Sequence, residues 1–331
     1  MNVQDVFQAH ASELRQVEVE LAGIFANDVQ LIPLVGRHIL GGGGKRMRPL
    51  FLLLSANLCG YAGEKRAILG AVIEAIHTAS LLHDDVIDGA ETRRGKTASH
   101  VLWGNHMVVL IGDYLYSNAL RIAVGQNSQK VMDVLSEATT RMSEAEILQL
   151  SKTGDPAITE QEYFQIISGK TGILISAACR IGAVLAEMPE EKETALRDFG
   201  LKAGIAFQLA DDVLDYVAQP ATLGKKLGKD LEEGKITMPL IHLLKDASAA
   251  ERDEVVAIIK ETSSKKPDES GNGHHMTRII DLYAGYDSID KALKTAQGLV
   301  ESARKALSVF PDSAHKDALL ALAEYSMQRK S

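Results

Sequence analysis

From residue 50 to residue 155 the chain contains no proline, and all eight prolines (33, 49, 156, 189, 220, 239, 267 and 311) fall where apolar periodicity pauses. Proline removes a helical donor and clashes with the preceding turn, so such an interval permits long uninterrupted helices. Ile68, Val72, Ile73, Ile76, Ala79, Ser80, Leu81 and Leu82 recur at helical spacing within it, as do Val131, Val134, Leu135, Ala138, Met142, Ala145 and Leu148. Further helical patterns run over 160–186, 190–217 and 279–307, whereas Lys265 to Gly273 is polar, contains proline and glycine, and reads as a loop. Strongly alternating strands are missing. The pattern predicts an all-α chain.

A length of 331 residues would by itself suggest about two domains. No short fixed-period repeat is evident and no low-complexity linker divides the chain, so one helical domain over 1–331 is the simplest expectation. A formal net charge of -8 and a pI near 5.7 argue against nucleic acid as a partner, because no large basic surface is available for its backbone. An acidic protein can still bind diphosphates where metal ions and local bases reverse the field within one cleft. Cys59 and Cys179 sit among small or apolar residues and suggest neither a disulfide framework nor a cysteine zinc site. The N-terminus, MNVQDVFQAHASELRQ, lacks a basic stretch leading into an apolar run. The segment Val101 to Ile111 is short for a membrane span and is interrupted by Asn105 and His106. A soluble, cytoplasmic protein without a transmembrane segment is expected.

Two acidic motifs carry the chemistry. His83-Asp84-Asp85-Val86-Ile87-Asp88 follows the run Ala79-Ser80-Leu81-Leu82, and helical spacing puts Asp84 and Asp88 on one face, a turn apart. Two carboxylates so placed repel each other unless they share hard divalent cations, as they do when Mg²⁺ bridges to phosphate oxygens. The pattern recurs 127 residues later in Gln208-Leu209-Ala210-Asp211-Asp212-Val213-Leu214-Asp215, again on an apolar helix. A solvated acidic helix end explains one copy easily and two poorly. Six aspartates suggest several metal ions around a diphosphate.

Bases flank both motifs. Gly41-Gly42-Gly43-Gly44-Lys45-Arg46-Met47-Arg48-Pro49 combines close backbone approach with phosphate-binding cations, and Arg93-Arg94-Gly95-Lys96 begins five residues beyond Asp88. Lys225-Lys226-Leu227-Gly228-Lys229-Asp230 and Gly234-Lys235-Ile236-Thr237 follow the second motif.

With these motifs the sequence resembles the trans-isoprenyl diphosphate synthases over nearly its whole length, in particular the long-chain polyprenyl type. The resemblance implies a single large helical bundle of the isoprenoid synthase type with a central cavity. It implies that Asp84, Asp88 and Asp211 bind Mg²⁺, with Asp215, Asp85 and Asp212 as neighbours or alternates, about three ions being held with substrate bound and Mn²⁺ able to substitute. Lys45, Arg48, His77 and Arg94 then match the isopentenyl diphosphate site. Arg93, Lys170, Thr171, Gln208, Lys225 and Lys235 match the allylic diphosphate site, and Asp84, Asp88, Asp211, Lys170 and Lys235 form the catalytic set. Two small-for-small departures touch this pattern: Gly172 after Lys170-Thr171, where alanine is usual, and Ala145 before Glu146, where glycine is common. They bear on Glu146 and Gln149 as site residues.

The implied reaction is condensation of isopentenyl diphosphate with an allylic diphosphate such as farnesyl diphosphate. Ala79 and Ser80 precede Asp84 by five and four residues, about one turn below it, and neither is bulky enough to close a tunnel running along that helix. In the resembling family this means a long all-trans product: about eight isoprene units (C40) as the first expectation and about ten (C50) as the second, for a quinone side chain. The resemblance also implies a homodimer, and so hydrophobic a product predicts transient membrane contact.

Competing readings are a short-chain farnesyl or geranylgeranyl synthase, a class I terpene cyclase, a regulatory synthase subunit and a helical scaffold. The second substrate's basic site weighs against the cyclase, and two intact acidic motifs weigh against the last two. Glu74-Ala75-Ile76-His77 matches one half of a di-iron Glu-x-x-His pair, but the second copy such a centre needs is missing. His274-His275 is expected in an exposed loop without a role.

Overall fold

The computed structural model describes residues 2–93, 95–217, 228–264 and 273–328. Arg94, Lys225 and Lys226, and most of the expected loop from Lys265, lie outside the described residues. The chain forms two compact units, the first comprising 1–139, 174–200 and 306–322 and the second 140–173, 201–305 and 323–331.

In the first unit, α1 (Val3–Ala9), α2 (Ala11–Ile24) and α3 (Leu31–Gly41) precede α4 (Met47–Leu58) and the long α5 (Lys65–Ile87). A two-residue hairpin pairs Thr92–Arg93 with Lys96–Thr97, and α6 (Ser99–Trp103) and α7 (Asn105–Val124) follow. The unit also takes residues 129–139 of α8 (Gln129–Ser151), α10 (Ile173–Leu185) from Leu174 onward, and residues 190–200 of α11 (Glu190–Val217). Helix α4 is buried without a break from Pro49 to Ala56, and α5 buries residues around its whole circumference from Leu69 to Ile76. A helix apolar on all sides belongs at the centre of a bundle. Leu50, Leu52, Leu53, Leu69, Ile73, Ile76, Leu115, Leu135 and Phe199 are fully enclosed in this core. At Gly182 the α10 backbone approaches α4 so closely that a Cβ would stand 2.6 Å from the Ala56 nitrogen, which only glycine allows.

The second unit contains residues 140–151 of α8, α9 (Glu160–Ile167), residues 201–217 of α11, α12 (Lys229–Glu232), α13 (Met238–Asp246), α14 (Ala249–Ser264), α15 (Gly273–Gly285) and α16 (Ser288–Ala306), with residues 323–328 of α17 (Ala314–Gln328). Thr159 opens α9 with a capping box, accepting from the Glu162 amide while Glu162 Oε2 accepts from the Thr159 amide at 2.8 Å. Ile205, Leu209, Val213, Leu240, Ile259, Ile279 and Ala296 share one buried cluster.

Three expectations need correction. The 160–186 pattern is not one regular α-helix, because a π-helical turn, Ser168–Gly172, separates α9 from α10. The 279–307 pattern contains the end of α15 and all of α16, broken at Asp287, whose φ of 53° is left-handed; the period runs through the break because both helices bury into the same cluster. His274 and His275 open α15 rather than sit in a loop, and His275 Nε2 lies 3.2 Å from Glu261 Oε2. The apolar stretch noticed from Val101 also continues, through α7. Helix α7 and the continuous helical stretch Glu160–Leu185, π-turn included, are long and apolar enough to cross a membrane by length and composition; in the most apolar part of each, 33% and 78% is buried.

Candidate active site

Helix α5 carries the first acidic motif at its C-terminal end. The Asp88 amide donates to the Asp84 carbonyl at 2.8 Å, and Gly89 leaves the helix with φ of 62°. Asp84 and Asp88 are therefore one turn apart on a half-exposed face, while Asp85 points inward and is 2% exposed. Arg93 Nε donates to Asp85 Oδ1 at 2.6 Å. Burial pushes the Asp85 carboxyl above the usual range, and Arg93 pulls against it. The middle aspartate of the motif is thus the anchor of Arg93. Arginine has five N–H donors, so this bond orients the guanidinium without exhausting it.

Helix α7 braces the same end of α5. Gly112 accommodates the His83 ring, where a Cβ would stand 2.2 Å from Nε2, and His83 Nε2 is 3.1 Å from the Val109 carbonyl oxygen. The His83 ring stacks on Tyr116, whose hydroxyl is pushed up to about 12 by burial, with the Asp84 charge adding to the shift.

The glycine-rich loop ends with Arg46 in the left-handed region (φ 52°) just before α4. Lys45 is exposed, Arg48 half-buried, and Arg46 between them is buried against Glu74 of α5. A cavity of about 60 Å³ brings Arg46 together with Thr78, Asp85, Arg93 and Lys96. His77 lies half-buried on α5 one turn before Leu81. Ala79 is fully buried and Ser80 half-buried, its hydroxyl donating to the His77 carbonyl at 2.8 Å.

In the second unit, a cavity of about 110 Å³ brings together Lys170, Gln208, Asp212, Asp230 and Lys235. The π-turn presents Lys170, whose Nζ stands 2.9 Å from Glu146 Oε2, and Thr171, whose hydroxyl donates to Gln208 Oε1 at 2.6 Å. Gln208 Nε2 donates in turn to Asp212 Oδ1 at 2.7 Å, and the Tyr163 hydroxyl donates to Asp212 Oδ2 at 2.6 Å. Burial pushes the Asp212 carboxyl up to about 7, against the pull of these two bonds. Asp211 is exposed on the same helix. Asp215 Oδ2 accepts from the Asp230 amide at 2.9 Å, tying the acidic motif to α12, and burial drives the Asp230 carboxyl well upward, with Asp212 and Asp215 adding to it. Lys235 Nζ is 2.6 Å from Glu233 Oε2.

The two motifs share one design: in each, the second aspartate is buried and hydrogen-bonded inside the protein, and the flanking ones lie nearer the surface. Oxygen-only donors spaced one helical turn apart suit a hard cation that takes one or two carboxylates and completes its shell with water and phosphate oxygens, so the residues present fit Mg²⁺. Among the described residues no preformed cluster of three or more acidic, histidine or cysteine ligands occurs. Glu74 of the Glu-x-x-His pattern is engaged by Arg46. Sequence reasoning missed Tyr163 and the pairing of Arg46 with Glu74, because the partners lie 49 and 28 residues apart along the chain.

The polyprenyl synthetase family model matches residues 29–271. Octaprenyl diphosphate synthase of Escherichia coli (strain K12) is 38% identical over 99% of both chains, and an all-trans-nonaprenyl-diphosphate synthase of Rhodobacter capsulatus is 35% identical over 98% of both. Among solved structures, a polyprenyl synthase from Caulobacter crescentus CB15, complexed with calcium and isoprenyl diphosphate, superposes with a TM-score of 0.92 at 36% identity, covering 100% of this chain and 98% of the other. A decaprenyl diphosphate synthase from Rhodobacter capsulatus gives 0.92 at 35% identity over 99% of both chains. The fold is thus the all-α isoprenoid synthase fold, as its sequence implied. The chain belongs to the polyprenyl synthetase family and is a prenyltransferase of the long-chain, all-trans type, acting on isoprenyl diphosphates.

Proposed function

We propose that the protein, working as one catalytic domain over 1–331, extends an allylic diphosphate such as farnesyl diphosphate with isopentenyl diphosphate to a product of about eight isoprene units (C40), with about ten (C50) as the second reading, for quinone side chains. The observation that carries the reading is the cavity that gathers Lys170, Gln208 and Lys235, three residues assigned to one diphosphate from separate stretches of sequence. Full-length similarity to an octaprenyl synthase supports the first length, and the decaprenyl synthase structure supports the second.

Lys170, Thr171, Gln208 and Lys235, with Arg93 and Lys225, hold the allylic diphosphate. Lys45, Arg48, His77 and Arg94 hold isopentenyl diphosphate. Asp84, Asp88, Asp211 and Asp215 would hold Mg²⁺, about three ions with substrate bound and Mn²⁺ able to substitute, and the metal would supply positive charge to neutralise the leaving diphosphate. The lysines and arginines share that task, Lys170 and Lys235 most directly, by donating to oxygens on which charge grows as the allylic C–O bond breaks. The isopentenyl double bond attacks the resulting cation, and a proton then leaves to the released diphosphate, so no side chain has to act as nucleophile. Apolar walls keep water from capturing the cation. Ala79 and Ser80 leave room for the growing tail along α5.

A homodimer accords with the apolar residues that α6 and α7 expose, Val101, Leu102, Val109 and Leu110. A cytoplasmic enzyme that touches membranes transiently, when it hands on its product, completes the reading. The test is incubation with farnesyl diphosphate, isopentenyl diphosphate and Mg²⁺, followed by mass analysis of the extracted alcohols. A C40 product abolished by EDTA is expected; a C15 or C20 product would make it a short-chain synthase, and a cyclic hydrocarbon would overturn the reading.

A further inference from the structure

The glycine-rich loop carries three cations within four residues, Lys45, Arg46 and Arg48, and the structure treats the middle one differently. Arg46 is 8% exposed and Glu74 3%, and Arg46 Nη1 donates to Glu74 Oε1 at 3.0 Å. Arg46 Nε is also buried; it makes no hydrogen bond among the described residues, and Glu18 Oε1 lies 3.7 Å away. The guanidinium borders the cavity that holds Asp85, Arg93 and Lys96, but its Nη1 is committed to Glu74 in the interior. Its backbone is unusual as well: φ 52° and ψ 39° put a side-chain-bearing residue in the left-handed region, which glycine adopts more readily. Four glycines precede it, yet the strained position holds arginine.

Glu74 lies three residues before His77 on α5, so the two share one side of that helix. We infer that the buried Arg46–Glu74 ion pair is a positioning device: it locks the loop onto α5 and so fixes Lys45 and Arg48, on either side of Arg46, relative to His77 for the diphosphate of isopentenyl diphosphate. The inference rests on the substrate assignment proposed above. Flexible glycines give the loop freedom to approach a phosphate closely, and a single charge-assisted bond at the αL residue removes that freedom where the loop enters α4. In this role the pair acts through Lys45 and Arg48, by holding the loop that carries them.

Breaking a buried ion pair on one side leaves an uncompensated charge, whereas replacing both partners with apolar residues of similar volume is commonly neutral for stability. Stability and positioning can therefore be separated. Glu74→Gln should raise the KM for isopentenyl diphosphate about tenfold and leave the KM for farnesyl diphosphate within about twofold, since misplacing one binding group penalises only the substrate it holds. The double variant Arg46→Met/Glu74→Leu keeps the test open if the single variant does not fold. It should unfold at a temperature near that of the unaltered protein while retaining the raised KM. Calorimetric titration with isopentenyl diphosphate alone should show the same loss of affinity without turnover. A double variant with normal stability and an unchanged KM and affinity for isopentenyl diphosphate would overturn the inference, as would a parallel rise in both KM values. If the unaltered protein neither binds nor uses isopentenyl diphosphate, the substrate assignment fails instead.

Discussion

The Tyr163 hydroxyl donates to Asp212 Oδ2 at 2.6 Å, from α9 to α11, and both side chains are buried. With Gln208 on Oδ1, both oxygens of this carboxylate are engaged within the second unit. Asp212 therefore acts as the internal fastening of its motif. Tyr163→Phe leaves the packing intact but deprives the buried carboxylate of one donor, so it should destabilise the protein by about 1–3 kcal/mol. Urea denaturation checks this; an unchanged midpoint would show that the bond contributes nothing.

Asp84 and Asp211 are the surface-facing counterparts. Asp84→Ala or Asp211→Ala should lower kcat by about a thousandfold or more, because each removes a carboxylate proposed to hold the metal that stabilises the leaving group. Thermal unfolding should be little altered, since neither side chain is among the buried polar groups. Turnover at the normal rate in either variant would remove that residue from the metal site.

The helices were largely legible because burial on one side or all round imposes a period on the sequence, and both acidic motifs stand out because four-residue spacing fixes a common face. The inward roles of Asp85 and Asp212 were not legible. Their partners, Arg93 and Tyr163, become neighbours only through a hairpin and through the packing of α9 on α11. The π-turn at Ser168–Gly172 was equally hidden, since the helix that follows it is buried nearly all round from Leu174 to Ala183 and so has no single apolar face whose phase would show the extra residue. Its signal was Gly169 and Gly172 flanking Lys170-Thr171, small residues where the turn needs room: a Cβ at Gly169 would stand 2.5 Å from Ala145 Cβ.

Ala79 is fully enclosed on α5, about one turn before Asp84. Ala79→Tyr should shift the product toward shorter chains if the tail runs along this helix, and overpacking should cost about 1–3 kcal/mol of stability. Mass analysis of the alcohols reads the first effect. An unchanged length distribution from a folded variant would place the tail elsewhere.

Leu110, 61% exposed on α7, is the most exposed apolar residue of its helix. If α6 and α7 meet a second copy of the chain, Leu110→Glu buries an unpaired charge at that interface and should shift the sedimentation profile from dimer to monomer. A profile unaffected by the change would locate the interface on another face.

Glu193 joins α8, α10 and α11: its Oε1 accepts from Arg180 Nε at 2.9 Å and its Oε2 from Lys130 Nζ at 3.1 Å. Burial pushes its carboxyl up, but the two cations outweigh this and hold it below the ordinary range. A carboxylate more acidic in the folded state stabilises above its unfolded pKa of about 4.3, and that contribution fades as pH falls through the folded value. Glu193→Gln should therefore cost about 1–2 kcal/mol at pH 7, after allowance for the exposure of Lys130, and progressively less below about pH 4. Denaturant titrations at pH 7 and pH 3.5 give the two differences. An equal loss at both pH values would mean that Glu193 acts through packing rather than through its charge.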